Sequence, residues 1–337
     1  ELMVGMFVLW SESVISGSAA RIAQSCKKCS SFGRFCSESS SHRYVVPCRR
    51  RFSTEMVNPL LNSSTDSSES NRRNRNSVTI YDLTGSNFNP SQYSLCLKLQ
   101  RDLRKQQMDI PHSVSTQSKP PHILIVTEHL PVYTLGTGST LNHVKFNLDE
   151  PAPCNASLIR TERGGEVTFH GPGQLVLYPI LRLAEFKKDI RWYIQSLENV
   201  VIRVLQDSFQ LDAHLKPGLI GVWVGNAKVC AIGLHISRWV SMHGIALNVD
   251  IDLKPFEYII PCGISDRRVS SIHELLLERG IPYKDLPTMD HVKQLLLTSF
   301  QQQFSIKFEN PTSQQTQFLH GQLAPENTPT ETAFLEL

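Results

Sequence analysis

The stretch GVWVGNAKVCAIG (221–233) gives the clearest indication of architecture, because two apolar runs of strand length flank the Gly225-Asn226 pair. Glycine followed by asparagine is a favoured two-residue turn between antiparallel strands. The stretch therefore predicts a β-hairpin whose second strand continues through KVCAIGLHI. Lys228 begins that strand among apolar residues, where burial favours a neutral amine that can accept a proton. A solvated turn lysine is the alternative interpretation.

Further strands and helices are predicted on both sides of this hairpin. Alternating or continuous apolar runs predict strands at VTIYDL (78–83), HILIVT (122–127), 166–170, 175–181 and ALNVDID (246–252). Helical spacing predicts helices over 90–107, from an N-cap at Asp189, over 268–279 and over 288–304. The stretch EHLPVYTLGTGS (128–139) is predicted to be a loop.

The chain of 337 residues is predicted to hold one catalytic domain with appendages. Residues 1–76 are rich in serine and arginine, which is typical of an organelle transit peptide, and an ordinary disordered tail is the alternative. The catalytic domain is predicted over 77–309. Periodicity is lost past Asn310, so 310–337 is predicted to be a disordered tail. Because the chain opens with Glu1, its true N-terminus is not apparent.

Charge, hydropathy and cysteine content limit the functional classes. A net charge of +3 is too small to indicate nucleic-acid binding, although it suits an acidic protein partner. No apolar run reaches the length of a bilayer span, and ELMVGMFVLW at the start lacks the basic leader of a secretory signal. The scattered cysteines favour a reducing compartment. Cys26 and Cys29 have zinc-ligand spacing, but no second pair follows, so no metal site is predicted.

A glycine-rich stretch, RGGEVTFHGPGQ (163–174), surrounds a short predicted strand. Glycines beside Arg163 and His170 indicate a backbone that approaches a ligand closely, while tight turns at strand ends are the alternative. The Gly-Lys-Ser/Thr ending of a phosphate-binding loop is missing from the whole sequence.

Cys262 lies between a proline and a glycine after the apolar run EYII, which predicts a thiol at the exposed end of a strand. A nucleophilic cysteine requires such access and a nearby cation, which Lys228 would provide. A small buried cysteine is the alternative. His170 and His243, each followed by glycine, are alternative bases for Cys262 or ordinary core and turn histidines.

Taken together, four islands resemble the octanoyltransferase family of lipoate synthesis over roughly residues 78–305. They are RGGEVTFHGPGQ (163–174), the 221–233 stretch with Lys228, HGIALN (243–248) and Pro261-Cys-Gly263. The resemblance implies that Cys262 carries the acyl thioester and that Lys228 lowers its pKa and acts as acid and base. It also implies a substrate pocket lined by Arg163, Gly164, Gly165, Glu166, Val167, Thr168, Phe169 and His170, by Ala231, Ile232 and Gly233, and by Gly244, Ile245 and Ala246. His235 departs from the family pattern, in which arginine is common.

The resemblance further implies a mixed α/β fold with flanking helices, like the catalytic domains of biotin and lipoate protein ligases. The implied donor is octanoyl-acyl carrier protein. The implied acceptors are lysines of lipoyl domains in 2-oxoacid dehydrogenase complexes or of the glycine cleavage H protein, with no cofactor, metal, nucleic acid or membrane. The leader and the EVTF and HISRW segments resemble plastid members, with the mitochondrion as alternative. An ATP-dependent lipoate ligase, a cysteine thioesterase and an inactive carrier-binding scaffold are the rival functions.

Overall fold

The computed structural model describes residues 77–84, 92–111, 114, 119–260 and 268–323. The strands are β1 Ser77–Asp82, β2 His122–Thr127, β3 Val132–Leu135, β4 Ser157–Arg160, β5 Thr168–His170, β6 Gln174–Ile180, β7 Ala213–Lys216, β8 Leu219–Val224, β9 Ala227–Ser237, β10 Val240–Asn248, β11 Arg268–Val269 and β12 Lys307–Glu309. The α-helices are α1 Tyr93–Met108, α2 Ile190–Arg203, α3 Ile272–Glu278, α4 Met289–Phe304 and α5 Ser313–Leu323.

The larger sheet is mixed, as predicted, and runs in the order β12-β1-β2-β6-β10-β9-β8-β7 within the described part of the chain. The pairs β12–β1 and β1–β2 are parallel, and the remaining neighbours along this order are antiparallel. The short strand β11 pairs in parallel with the start of β9. The predicted β8–β9 hairpin is confirmed, and Gly225 at its turn has a φ of +56° that suits glycine.

A second, smaller sheet has the order β4-β3-β5 among the described residues. Its central strand corrects the prediction of a loop over 128–139. The run VYTL has the aromatic and β-branched residues that favour strands, and its four residues are all buried. Pro131 and Gly136 mark the ends of this strand instead of continuing a loop.

Helices cover both faces of the larger sheet. Helix α1 is buried on the side that carries Tyr93, Cys96, Leu99 and Leu103, as its spacing predicts. Helices α2 and α4 pack on the opposite face in the largest apolar cluster. The predicted N-cap of α2 is confirmed, because the Asp189 carboxylate accepts a hydrogen bond from the Trp192 amide at 3.0 Å.

The predicted C-terminal tail and the start of the helix predicted over 268–279 differ from the structure. The predicted tail over 310–337 is wrong for helix α5, where Leu319 is buried in the cluster beneath α1. This helix gains its apolar contacts from α1, which lies distant in sequence, so local periodicity gives little sign of it. The helix predicted over 268–279 begins only at Ile272, because Ser271 caps it. The predicted leader over 1–76 lies outside the described residues.

No helix of the described chain combines the length and the apolar character needed to cross a bilayer.

Candidate active site

A cavity of about 490 Å³ lies against the part of β9 that continues beyond its pairing with β8. Lys228 lines it, together with every predicted substrate-binding residue except Phe169. The three glycine-marked stretches, 163–170, 231–233 and 244–246, therefore converge on one space, although they lie far apart in the sequence.

Phe169 is the exception, and it corrects the prediction for that residue. Its ring is 2% exposed and packs 5.1 Å from Tyr133 and 5.6 Å from Phe256, measured between ring centroids. It belongs to the apolar cluster beneath the smaller sheet. The Phe169 side chain therefore packs in the core beneath the smaller sheet and does not line the cavity.

Arg163 fixes the loop that forms one wall of the cavity. Its guanidinium donates to the Thr134 carbonyl at 2.6 Å, to the Thr134 hydroxyl at 2.8 Å and to the Gly164 carbonyl at 3.2 Å. The Gly164 amide donates to the Leu234 carbonyl on β9 at 2.8 Å. A Cβ on Gly233 would lie 3.1 Å from the Arg163 Cδ, so this strand must approach the loop closely.

A chain of buried polar side chains connects β5 with the neighbourhood of Lys228. The His170 ring nitrogen Nδ1 lies 2.7 Å from Gln174 Oε1, and the Gln174 amide donates to Asn248 Oδ1 at 2.9 Å. The Asn248 amide then donates to the Ser270 carbonyl at 2.9 Å, and the Ser270 amide donates to the Lys228 carbonyl at 3.0 Å. In this arrangement Nδ1 of His170 donates, because the Gln174 oxygen accepts.

Burial is the main reason that the pKa of His170 lies well below its ordinary value, and the charges of His129 and Arg163 lower it further. His170 is therefore neutral at physiological pH. The ring also stacks on Tyr93, with centroids 5.6 Å apart. A fixed neutral imidazole of this kind can orient a ligand through a hydrogen bond.

His170 belongs to a polar half of the cavity, and other histidine and aromatic side chains lie in or beside this half. His129 Nε2 lies 2.8 Å from the Tyr178 hydroxyl, and burial raises the pKa of Tyr178 well above its ordinary value. His243 is 1% exposed, and burial lowers its pKa. Its Nε2 lies 3.9 Å from the Glu162 carboxylate. Tyr178 and His243 are therefore neutral near pH 7, so they make this half of the cavity polar without adding charge.

The other half of the cavity is apolar. Isoleucine and leucine side chains from the start of α2, from β8 and from β9 line it: Ile190, Ile194, Leu219, Ile220, Ile232, Leu234 and Ile236. Ile190 and Ile220 are each 47% exposed, which marks the side where the cavity opens to solvent. Such a wall suits an unbranched hydrocarbon chain.

Lys228 lies near the start of β9, where three strands meet. Lys228 pairs with Trp223 of β8 on one edge of β9 and with Val269 of β11 on the other edge. A register shift between the pairs Val222–Cys230 and Trp223–Lys228 marks a bulge in β9 directly after Lys228. The ammonium lies 5.6 Å from the Trp223 ring centroid. The side chain is half-buried and faces the cavity, unlike that of a solvated turn lysine.

Cys262 lies outside the described residues, as does the whole segment 261–267. The run before it corrects one expectation: Lys254–Tyr258 is a 3₁₀ helix, and Ile259 makes only an isolated bridge to Val144. Pro255 near the start of this turn favours the helical geometry over a strand.

Sequence reasoning missed several cavity residues that come from distant elements. Their spacing predicts Tyr93 as a core position of α1, and Ile190 and Ile194 as core positions of α2. Tyr178 and Ile220 belong to no motif. The apolar spacing of these residues is visible in the sequence, but only the packing of α1, α2 and β8 around β9 turns them toward the cavity.

Among the described residues, no group of three or more histidine, cysteine, aspartate or glutamate side chains is arranged to hold a metal ion.

Comparison with known proteins agrees with this geometry. Residues 105–301 match the model of the lipoyl protein ligase A/B catalytic domain. The chain is 48% identical over 192 residues to the octanoyltransferase LIP2p2, chloroplastic, of Arabidopsis thaliana, which covers 56% of this chain and 67% of that protein. It is 52% identical over 152 residues to an octanoyltransferase of Nostoc punctiforme, covering 45% of this chain and 64% of the relative.

Among solved structures, a lipoate-protein ligase A bound with ATP superposes with a TM-score of 0.51 at 16% identity. The match covers 73% of this chain and 93% of that one, and it shows the shared mixed α/β fold. The chain therefore belongs to the lipoyl protein ligase A/B catalytic domain family, as an acyltransferase of its octanoyltransferase branch.

Proposed function

We propose that the chain moves an octanoyl group from octanoyl-acyl carrier protein, through a thioester on Cys262, to a lysine of a lipoyl domain. Octanoyl transfer in lipoate synthesis is the activity of the octanoyltransferase branch. We infer the identity of the donor, the covalent intermediate and the role of each residue.

The observation that carries the proposal is that Lys228 lines a largely apolar cavity beside both ends of the segment that contains Cys262. Before that segment, the Ile260 amide donates to the His143 carbonyl at 2.8 Å. His143 in turn lies 2.9 Å from the carboxylate of Glu166, a cavity residue. After the segment, Val269 pairs with Lys228 itself. A lysine in this position is suited to exchange a proton with the Cys262 thiol.

The first half-reaction is thioester exchange. Lys228 takes the proton of the Cys262 thiol, and the sulfur attacks the thioester carbonyl of the donor. The carbon–sulfur bond to the pantetheine arm breaks as the bond to Cys262 forms. The leaving thiolate takes up the proton that Lys228 accepted, so Lys228 is neutral again before the second half-reaction. One thioester replaces another, so this step changes the free energy little.

The second half-reaction forms an amide. The amine of the acceptor lysine attacks the acyl carbonyl, and the bond to the Cys262 sulfur breaks. Lys228 receives the proton that the attacking amine loses and can return one to the sulfur. Backbone amides of the glycine-rich wall are suited to stabilise the oxyanion, because such donors act strongly where water is excluded.

The apolar half of the cavity is proposed to hold the hydrocarbon chain. Each methylene buried there contributes about 0.8 kcal/mol, which corresponds to roughly a fourfold preference per carbon. The depth of the cavity would therefore discriminate among chain lengths only in modest steps. The polar half, with the neutral side chains of His170 and Tyr178, would orient the oxygen-bearing end of the substrate.

We further propose plastid acceptors, namely lipoyl domains of 2-oxoacid dehydrogenase complexes or the glycine cleavage H protein. The support is the chloroplastic relative together with the serine- and arginine-rich composition of 1–76. Residues 1–76 fused to a fluorescent protein should direct it to chloroplasts in leaf cells. Fluorescence in mitochondria would support the alternative compartment.

The function is tested by following octanoylation of a lipoyl domain from octanoyl-acyl carrier protein. Cys262→Ala should abolish transfer, and Lys228→Ala should reduce it severely without unfolding the protein. Cys154→Ser, which changes an exposed cysteine away from the cavity, is the matched control and should transfer normally. Normal transfer by either active-site variant would contradict the proposal.

Two further arms of the assay separate the rival functions. Transfer from free octanoate that requires ATP would indicate a ligase. Release of free octanoate without acceptor modification would indicate a thioesterase.

A further inference from the structure

We propose that His243 donates a hydrogen bond from its imidazole ring to the carbonyl oxygen of the octanoyl group, which makes it a catalytic residue of both half-reactions. This inference rests on the proposed function and names one donor that the reaction requires. The observation that carries it is a buried side chain in the cavity wall. His243 is 1% exposed, and neither of its ring nitrogens has a hydrogen-bond partner among the described residues.

A buried ring without hydrogen bonds is unusual. Most buried polar side-chain atoms in folded proteins have at least one partner, because the water that they lose must be replaced. Among the described residues that line the cavity, His243 is the one with buried side-chain nitrogen or oxygen atoms that lack a partner. A substrate oxygen in the cavity would supply the missing partner.

The other histidine of the cavity wall differs from His243 in this respect. His170 Nδ1 lies 2.7 Å from Gln174 Oε1, and its Nε2 lies 3.3 Å from the Thr134 hydroxyl. Each ring nitrogen of His170 therefore has a partner within the protein. His170 fixes the shape and polarity of the wall, while His243 still has a hydrogen bond to give.

A neighbouring carboxylate does not occupy the His243 ring either. Glu162 Oε2 lies 3.9 Å from His243 Nε2, which is beyond hydrogen-bond distance. Both Glu162 oxygens accept hydrogen bonds from the Arg101 guanidinium, at 2.9 and 2.8 Å. Burial lowers the pKa of His243, so the ring is neutral near pH 7 and carries one N–H. Such a ring donates to a carbonyl oxygen without bringing a charge into the cavity.

The backbone of His243 also departs from an ordinary strand. Its φ of +58° lies in the left-handed region, which is uncommon for a residue with a side chain. Strand β10 pairs Ile245 with Leu177 of β6, and the same register places His243 opposite Pro179. Proline has no amide hydrogen to donate, and the His243 amide donates to Gln100 Oε1 at 2.9 Å instead. Backbone of this kind is held by its surroundings and is common at functional sites.

The chemistry requires a donor at the acyl carbonyl oxygen twice. The oxygen gains negative charge when the Cys262 sulfur attacks the donor thioester, and it does so again when the acceptor amine attacks the enzyme thioester. A fixed N–H in a buried cavity stabilises both charged states. The imidazole keeps its proton throughout, and the hydrogen bond weakens again when the carbonyl double bond re-forms.

The test replaces His243 by glycine, which removes the ring and suits the left-handed backbone. In the octanoyl transfer assay we expect kcat to fall on the order of 100-fold. KM for the acyl donor should change little, because the hydrogen bond is strongest in the transition state. Imidazole added to His243→Gly should restore part of the lost rate, since it can enter the space that the ring leaves.

Two further variants are the controls. His243→Leu fills this space without a hydrogen-bonding atom, so it should lose turnover and should not respond to imidazole. It also decides the test if His243→Gly does not fold. Gln210→Gly changes an exposed residue outside the cavity with a similar φ of +54°, and it should transfer normally with or without imidazole.

Wild-type turnover in a folded His243→Gly or His243→Leu would overturn the inference. An equal gain from imidazole in both variants would overturn it as well, because imidazole would then act outside the vacated space. A folded His243→Gly that loses turnover and gains nothing from imidazole would indicate a merely structural role and would also overturn it.

The two half-reactions separate this inference from the proposed function. Failure of the wild-type protein to form an octanoyl adduct on Cys262 would refute the proposed function. If the adduct forms, we expect His243→Leu to slow both its formation and its discharge to a lipoyl domain. Wild-type rates of both steps in His243→Leu would refute the role of His243 alone.

Discussion

Replacing Gly221 by alanine tests whether Lys228 must pack against a bare backbone. The new Cβ would lie 2.5 Å from the Cys230 carbonyl oxygen and 2.7 Å from Lys228 Cε. The carbonyl belongs to β9 and has little freedom to move, so the β8–β9 pairing must shift or the lysine must leave its position. The backbone at φ +119° is also unfavourable for any residue with a side chain.

The cost has two parts. Backbone strain at a conformation reserved for glycine amounts to about 1–3 kcal/mol. Overpacking against a rigid neighbour adds about 1–3 kcal/mol. A total near 3 kcal/mol would lower the melting temperature by roughly 6–12 °C, given about 2–4 °C per kcal/mol for a domain of this size. Displacement of Lys228 by about 1 Å would reduce kcat on the order of 100-fold.

Differential scanning calorimetry and the octanoyl transfer assay measure both effects. Gly280→Ala is the control, because its φ is +80° and no atom lies within 4 Å of the position that its Cβ would take. It should show only backbone strain of about 1 kcal/mol and normal turnover. If Gly221→Ala melts and turns over like Gly280→Ala, the packing of Lys228 against Gly221 does not matter and the reasoning is refuted.

Other parts of the structure give three more predictions. Phe169→Ala should lower the free energy of unfolding by about 3–5 kcal/mol in chemical denaturation. The order of preference among acyl chain lengths should stay unchanged, and a changed order would mean that the ring lines the cavity. Ala246→Val should shift the ratio of kcat/KM toward hexanoyl and away from octanoyl donors, by roughly fourfold for each methylene excluded from the cavity. An unchanged ratio would place the acyl chain elsewhere. Burial holds the pKa values of His122, His170 and His243 below their ordinary value, so below about pH 6.5 the unfolded chain binds more protons than the folded chain. The free energy of unfolding, measured by urea titration, should therefore fall from pH 7 to pH 5. A free energy of unfolding that is constant or rises toward pH 5 would contradict the neutral burial of these histidines.

The parts of the fold that depend on local signals could be predicted from the sequence. The Gly225-Asn226 turn, the Asp189 cap and the apolar runs of β1 and β2 each act within a few residues, and the structure confirms them. Strand β3 and helix α5 were missed, because their burial depends on partners far along the chain.

The site shows the same division. The glycine-marked stretches were visible as motifs, and their convergence on one cavity followed from the family resemblance. Phe169 belongs to the same motif yet faces the opposite way, since the alternation of β5 assigns it to the core of the smaller sheet.

The proposed mechanism depends above all on a cysteine sulfur that carries the acyl chain between two proteins. Intact-mass spectrometry after mixing the protein with octanoyl-acyl carrier protein, without acceptor, detects such a carrier. We expect one octanoyl adduct that maps to Cys262 and disappears when a lipoyl domain is added. No adduct, or an adduct on another residue that the lipoyl domain discharges, would refute the covalent role of Cys262.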